Sequence, residues 1–242
     1  MNIISTENLT KIYPAGSGEL VVLNNLSIHI PEKSLVMLQG RSGSGKTTLI
    51  NILSSLETPT SGDIIFDDMR YSEINDEKKE YLRRTRMGFV FQSVALIPIM
   101  TAYENIDFGL RVSEGLPKSK KKKKSDNDEE IDYLKEKDNR IREALRSVGL
   151  EERMNHIPSE MSGGEQQRVA IARAFVHKPS VIFADEPTGA LDTAAGINVV
   201  KLFRNLVDEY GLTIVMSTHD RGLLDMADVV YSLENGNLKN DE

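Results

Sequence analysis

The 242-residue chain contains no cysteine, which excludes a disulfide framework and thiolate chemistry and fits a reducing compartment. It has no run approaching the roughly 18 consecutive apolar residues that cross a bilayer. Its opening residues, MNIISTENLTKIYP, lack a charged segment followed by an apolar stretch, so they do not read as a signal peptide. A Cys/His metal centre is not expected either. The four histidines, His29, His156, His177 and His219, are scattered, with none at the i, i+3 or i, i+4 spacing that builds a zinc site on one helix. Three of them read as ordinary surface or core residues, leaving His219 for later consideration. Excess positive charge is missing too: a net charge of -7 argues against a chain whose main task is coating nucleic acid. No internal repeat is visible, so the chain is one copy of its unit. These absences lead to the expectation of a soluble, cytoplasmic chain, for which any role at a membrane would have to run through a partner.

What is present is enough apolar sequence, 39%, to bury a substantial core, as one domain with an embedded subdomain. LSIHI alternates apolar and polar residues, as a half-exposed antiparallel strand does. SLVML is a nearly continuous apolar run, as in a strand buried on both faces. Further strands are expected at DIIFD, MGFVFQ, SVIFAD, TIVMSTH and VVYSLENG. Helical spacing follows Lys46 in TTLINILSSLE and recurs in EEIDYLKEKDNRIREALRSVGL, EQQRVAIARAFVHK and GINVVKLFRNLVDEYG. Strands alternating with helices predict an α/β fold with a mostly parallel sheet and an antiparallel contribution at the N-terminus.

GRSGSGKT, running Gly40, Arg41, Ser42, Gly43, Ser44, Gly45, Lys46, Thr47, matches the G-x-x-x-x-G-K-[ST] phosphate loop. The bare pattern arises by accident in roughly one chain of this size in a hundred, but here it lies directly between a buried strand and a helix, where its chemistry needs it. A glycine-rich turn lets successive backbone N–H groups point at phosphate oxygens, and the next helix adds unpaired N–H donors and a positive dipole end. In such loops the lysine, here Lys46, bridges the β- and γ-phosphates and the Thr47 hydroxyl ligates Mg²⁺. A second element, VIFADEP, is an apolar strand ending in two carboxylates. Taken alone, such a pair is usually a solvated strand end. Downstream of a phosphate loop it reads as Asp185 holding the magnesium shell and Glu186 acting as general base on the attacking water.

MSGGEQQRVAIARA, residues 161–174, just upstream of VIFADEPTGALD, strongly resembles the signature of ABC-type ATPases. That resemblance extends over essentially the whole chain. It implies a phosphate-loop NTPase fold with a RecA-like core, an N-terminal antiparallel β subdomain and an inserted α-helical subdomain. The whole of 1–242 is then a single ABC ATPase domain, with its core at 1–92 and 165–242 and the helical subdomain at 93–164. It implies ATP and Mg²⁺ as substrate and ion, with Gly40 through Thr48 binding the phosphates. Tyr13, in KIYP, would stack on the adenine. Gln92 would reach the metal, together with Thr47 and Asp185, and also the attacking water, and His219 would touch the γ-phosphate. Two copies pair head to tail in this family, so Ser162, Gly163, Gly164 and Glu165 would complete the site of the partner copy, and Asp192 would contact it. Independently of the family, Ser-Gly-Gly before a helix offers bare backbone donors suited to a phosphate. Arg168 and Arg173, on that helix, are expected to be structural ion-pair partners. Met161 and Glu165 stand where the commonest form has leucine and glutamine, and Ala190 replaces a more usual residue, but no catalytic position is missing.

A single ATPase unit without a span resembles the stand-alone engine of a separate permease. GRSGSGKTTLINILSSLETPTSG, RRTRMGFVFQ and FADEPTGALDTAAG are similar to the subfamily serving macrolide exporters, lipoprotein release, peptide-antibiotic detoxification and cell division. The resemblance implies a permease with few spans and export or handling of a peptide, antibiotic or lipid-linked substrate outside the membrane. The alternatives are control of cell-wall hydrolysis without transport, and a soluble nucleic-acid-linked ATPase. The engine reading places the chain in the cytoplasm, peripheral on the inner face of the cell membrane through the permease.

One biased stretch remains, SKKKKKSDNDEE. It falls within 117–132, which is expected to be an insertion between two subdomain helices. Six lysines from Lys118 to Lys124 precede five acids from Asp126 to Asp132, so the stretch nearly neutralises itself. It reads as a solvated loop, with contact of Lys120–Lys124 to anionic lipid headgroups or to an acidic face of the permease as the alternative. Nucleic acid is not expected as a partner.

Overall fold

In the computed structural model, which describes residues 1–16, 18–115 and 127–239, the chain divides into two units: Met1–Ser93 with the chain from Ser180 onward, and Val94–Pro179. The first unit begins with β1 (Asn2–Ala15), β2 (Gly18–Leu26) and β3 (His29–Pro31). β1 pairs antiparallel with β2 through its C-terminal half and with β3 through its N-terminal half. The strand expected at LSIHI is therefore split between β2 and β3. Its alternation holds all the same, with Leu26, Ile28 and Ile30 buried and Ser27 and His29 exposed.

The buried run becomes β4 (Leu35–Gln39), followed by α1 (Lys46–Leu53), β5 (Ser61–Phe66), β6 (Met69–Arg70), α2 (Asp76–Arg86) and β7 (Met87–Val90). α1 buries Leu49, Ile50, Ile52 and Leu53, the stripe legible in its spacing. β5 joins β1 and β6 in the antiparallel sheet. After the second unit the chain returns through β8 (Val181–Ala184), α6 (Thr193–Tyr210), β9 (Thr213–Thr218), β10 (Val229–Glu234) and β11 (Asn237–Leu238).

The second sheet runs β11-β10-β4-β9-β8-β7, and all its pairs from β10 to β7 are parallel. β9 and β8 are buried along their full length and β4 at all but its last residue. This is why these strands are continuous apolar runs rather than alternating ones. Because β4, β9 and β8 are parallel neighbours, their C-terminal ends lie side by side. Gly40, His219 and Asp185, each just beyond a strand end, are thereby brought to one edge, where ligands bind in open α/β sheets.

The second unit carries α3 (Ala102–Glu114), α4 (Asn127–Ser147) and α5 (Gly163–Phe175). α3 packs on both α4 and α5. A Cβ added at Gly109 of α3 would lie 2.6 Å from Arg173 Cγ and 3.0 Å from Arg173 O of α5, so only glycine permits this crossing. Asp107 of α3 pairs with Arg111 at 2.7 Å and with Lys137 of α4, and Tyr103 donates to Asp138 at 2.9 Å. The second unit extends to Pro179 and so takes in α5, whereas the sequence expectation gave the chain from 165 onward to the core. α4 starts inside the stretch expected as an insertion, 117–132, and Lys118–Lys124 lie outside the described residues. Among the described residues no helix is long and apolar enough to cross a membrane.

Phe183, inside β8 and 1% exposed, packs beside Phe89 with the rings tilted and their centroids 6.1 Å apart. Phe183→Ala is expected to destabilise the protein by about 3–5 kcal/mol, measured as a lowered denaturation midpoint in urea.

Candidate active site

The loop from Gly40 to Gly45 leaves β4 and folds back over its own carbonyls. Gly45 adopts φ 102° as the residue before α1, a backbone that side chains disfavour, and an added Cβ would lie 2.8 Å from Val22 O and Leu23 Cδ2 of β2. Lys46, the first residue of α1, is only 4% exposed. Its ammonium donates to Gly40 O at 2.8 Å and Arg41 O at 3.1 Å, and stands 3.4 Å from Glu186 Oε1. The Ser44 side chain is buried, while Arg41, Ser42, Gly43 and Thr47 are exposed at the mouth. On one side the loop opens into a cavity of about 800 Å³, lined by Gln39 through Ser44 and by His219, Arg221 and Lys239.

The carboxylates come from the end of β8. Thr47 Oγ1 donates to Asp185 Oδ1 at 3.1 Å, and the buried Ser217 hydroxyl of β9 donates to the same oxygen at 2.6 Å. Ser217 Oγ also accepts the Glu186 N–H at 2.8 Å, so one hydroxyl fixes both acids. Glu186 has φ 45°, a strained backbone for a side-chain-bearing residue. Its two carboxylate oxygens face different partners: Oε1 meets the Lys46 ammonium, and Oε2 lies 3.6 Å from His219 Nδ1. Gln92 lies along Gly189, whose added Cβ would be 3.2 Å from Gln92 Nε2. The first unit thus gathers Lys46, Thr47, Asp185, Glu186 and His219 around one point. Tyr13 is held near Glu57 and Thr48. Asp192 stands apart from these contacts and caps α6, accepting from Ala195 N at 2.8 Å.

In the second unit, Ser162 caps α5. Its Oγ accepts the Glu165 N–H at 3.3 Å while Glu165 Oε2 accepts the Ser162 N–H at 2.8 Å. This reciprocal capping box sets the conformation of Gly163 and Gly164 between them. The Ser162 N–H, and secondarily the Ser162 side chain, hold the Glu165 carboxyl below the usual glutamate range, and Arg153 Nε lies 3.4 Å from its Oε1. A glutamate serves here as well as the commoner glutamine would, since either side chain can accept that N–H. Arg173 donates to a backbone carbonyl, Ala95 O, at 2.8 Å rather than to a carboxylate, and burial lowers its pKa.

A family model described as ABC transporter matches residues 23–189. The chain belongs to the ABC transporter family. It is 39% identical over 236 residues to an uncharacterized ABC transporter ATP-binding protein of Methanocaldococcus jannaschii, covering 98% of this chain and 97% of that one. It is 37% identical to the macrolide export ATP-binding/permease protein MacB of Syntrophobacter fumaroxidans, covering 98% of this chain and 31% of MacB. The dimeric post-hydrolysis structure of the cassette MJ0796 of M. jannaschii, bound to ADP and Pi, superposes with a TM-score of 0.81 at 34% identity, covering 99% and 97% of the two chains. The protein is therefore an ABC ATPase with the phosphate-loop NTPase fold, the nucleotide-binding subunit of a transporter.

One residue of this ABC ATPase escaped the sequence reading. Ser217 lies in the TIVMSTH strand, and only its position two residues before His219 on a buried strand marks it as inward-facing. Because its hydroxyl orients both acids, Ser217→Ala is expected to lower the ATP turnover number about tenfold with the fold retained, as read by steady-state phosphate release and circular dichroism.

Proposed function

We propose that the chain hydrolyses ATP at the site around Lys46 and Glu186 as one of two head-to-tail copies, and that this drives a separate few-span permease handling a peptide, antibiotic or lipid-linked substrate outside the membrane. The observation that carries the reading is the Glu186 carboxylate, held between Lys46 and His219 beside the Thr47–Asp185 contact. Loop N–H groups and the N-terminus of α1 receive the phosphate oxygens, and Lys46 supplies the positive charge that meets them. Glu186 takes a proton from water as the water attacks the γ-phosphorus. The bond to the β–γ bridging oxygen breaks, leaving ADP and phosphate. His219 contacts the γ-phosphate and steadies Glu186 through the Nδ1–Oε2 approach. Tyr13 stacks on the adenine.

Thr47, Asp185 and Gln92 offer only oxygen ligands of the hard kind that suits Mg²⁺. Among the described residues no three acids or histidines cluster as a self-sufficient metal cage. Thr47, Asp185 and Gln92 instead suit an ion held by a few protein groups together with substrate phosphates. These residues would hold it, and when bound the ion neutralises charge on the phosphate oxygens. Ser162, Gly163, Gly164 and Glu165 present the capped N-terminus of α5 to the nucleotide of the other copy, and Asp192 meets that copy; the dimeric form of the MJ0796 cassette supports this arrangement.

The permease docks on the second unit, at the loop before α3. Ile99 there is 86% exposed. The loop is held by buried Asn105, which accepts from Ile97 N at 2.8 Å and donates to Ile97 O, Met100 O and Thr101 O at 3.0–3.2 Å. An apolar side chain held out on a fixed loop suits a protein partner. The named attachment of a relative, cbiO1 of Clostridium perfringens, is the ABC transporter complex cbiONQ, which favours a membrane-complex assignment.

Glu186→Gln is expected to keep ATP affinity, lower turnover by at least about 100-fold and accumulate a closed dimer on gel filtration with ATP, while Lys46→Ala weakens nucleotide binding itself. Hydrolysis by Glu186→Gln at the parental rate would refute the base assignment. Ile99→Asp is expected to abolish recovery of the chain with a polytopic membrane protein in pull-downs from a membrane fraction, with ATP binding retained. DNA- or RNA-stimulated turnover without such a partner would overturn the permease reading.

A further inference from the structure

The Tyr13 side chain is fixed by neighbours that no step of the reaction requires. Its hydroxyl donates to Glu57 Oε1, and the Thr48 side chain, in the first turn of α1, lies beside the same phenol. Lys11 lies two residues before Tyr13 on β1, on the same face of the strand. Its ammonium pairs with Glu57 Oε1 at 2.9 Å, donates to Thr58 O at 2.7 Å and stands 4.9 Å from the Tyr13 ring centroid, within cation–π range. Glu57 is itself tied to α1 by its N–H to Asn51 O at 3.1 Å. Burial and the Glu57 carboxylate raise the Tyr13 pKa. Burial acts to raise the pKa of Glu57, but the Tyr13 hydroxyl and Lys11 hold it below the usual range, so the phenol stays a donor and the carboxylate an acceptor at neutral pH.

We infer that Glu57 and Lys11 are positioning residues that hold the Tyr13 ring as a one-faced platform for the nucleotide base. Lys11 covers one face of the ring, so a base stacks on the other. Glu57 removes the rotation that an unpinned tyrosine would have to give up on binding, and a pre-ordered contact binds more tightly than one ordered by the ligand. With Thr48 beside the phenol, this platform lies one residue from Thr47, so base and phosphate subsites share the first turn of α1. The inference rests on the reading of Tyr13 as the base-stacking residue.

The test compares equilibrium binding of ATP with that of tripolyphosphate, which has the phosphates but no base, by isothermal titration calorimetry. Glu57→Ala is expected to weaken ATP about fivefold and leave tripolyphosphate affinity as in the parent, and isosteric Glu57→Gln, whose amide oxygen still accepts from the phenol, to weaken ATP less, with tripolyphosphate again as in the parent. Lys11→Met is expected to weaken ATP in the same selective way. In a Tyr13→Ala background, Glu57→Ala should cause no further loss. Equal weakening of both ligands by Glu57→Gln, or an additional loss in the Tyr13→Ala background, would show Glu57 acting on α1 and the phosphate loop and would overturn the inference. If Tyr13→Ala alone binds ATP like the parent, the base-stacking reading itself fails, an outcome separable from the first because Glu57 need not be altered to see it.

Discussion

A buried ammonium organises the first unit. Taking the Lys46 charge out of water costs several kcal/mol unless it is compensated, and the compensation comes from two carbonyls of its own loop and one carboxylate from a distant strand end. The loop must therefore curl until Gly40 O and Arg41 O converge, which requires the left-handed backbone at Gly45. The carboxylate must come from the end of β8, two strands away from β4 in the sheet, which requires the parallel order β4-β9-β8. The strained backbone of Glu186 follows from the same demand. Its N–H turns to Ser217 while its side chain turns to Lys46, and a relaxed strand end would not serve both.

Most of this unit was legible in the residues. The buried strands announced themselves as unbroken apolar runs, because burial on both faces removes any reason to alternate, and the phosphate loop stood where its neighbours give it meaning. What was hidden has physical causes. β1 bends to serve three partners, β2, β3 and β5, with register shifts at Leu9/Lys11 and Asn2/Ile4 and Asn8 at φ 50°, so its burial follows no period of two. α2 buries only Leu82, leaving no stripe to read, and rests instead on its Asn75 cap. α3 opens on a capping box of Thr101 and Glu104, but Gly109 in its interior speaks against a helix until its neighbour is known. Tertiary contact, not propensity, decides each of these segments.

The candidate site shows the same division. Lys46, Thr47, Asp185, Glu186 and His219 belong to strand ends and a loop, and the topology alone brings them within a few ångströms. Ser217, Lys11 and Glu57 carry no chemistry of their own in the reaction. They hold the residues that do, and a serine, a lysine and a glutamate among many others have no signature in a single sequence. Arg173 illustrates the converse: its type suggests an ion pair, but burial beside α3 leaves it a carbonyl as partner.

The crossing of α3 over α5 leaves no space for even one methyl at Gly109. Surfaces meshed that tightly cannot slide past one another without first separating, so the two helices form a stiff strut rather than a sprung joint. The Asn105-braced loop bearing Ile99 runs directly into α3, and the capped turn of Ser162, Gly163 and Gly164 runs directly into α5. A displacement of either segment is therefore carried into the helix pair as a whole, with little lost to give at the crossing. Within this unit, stiffness itself is what the glycine contributes.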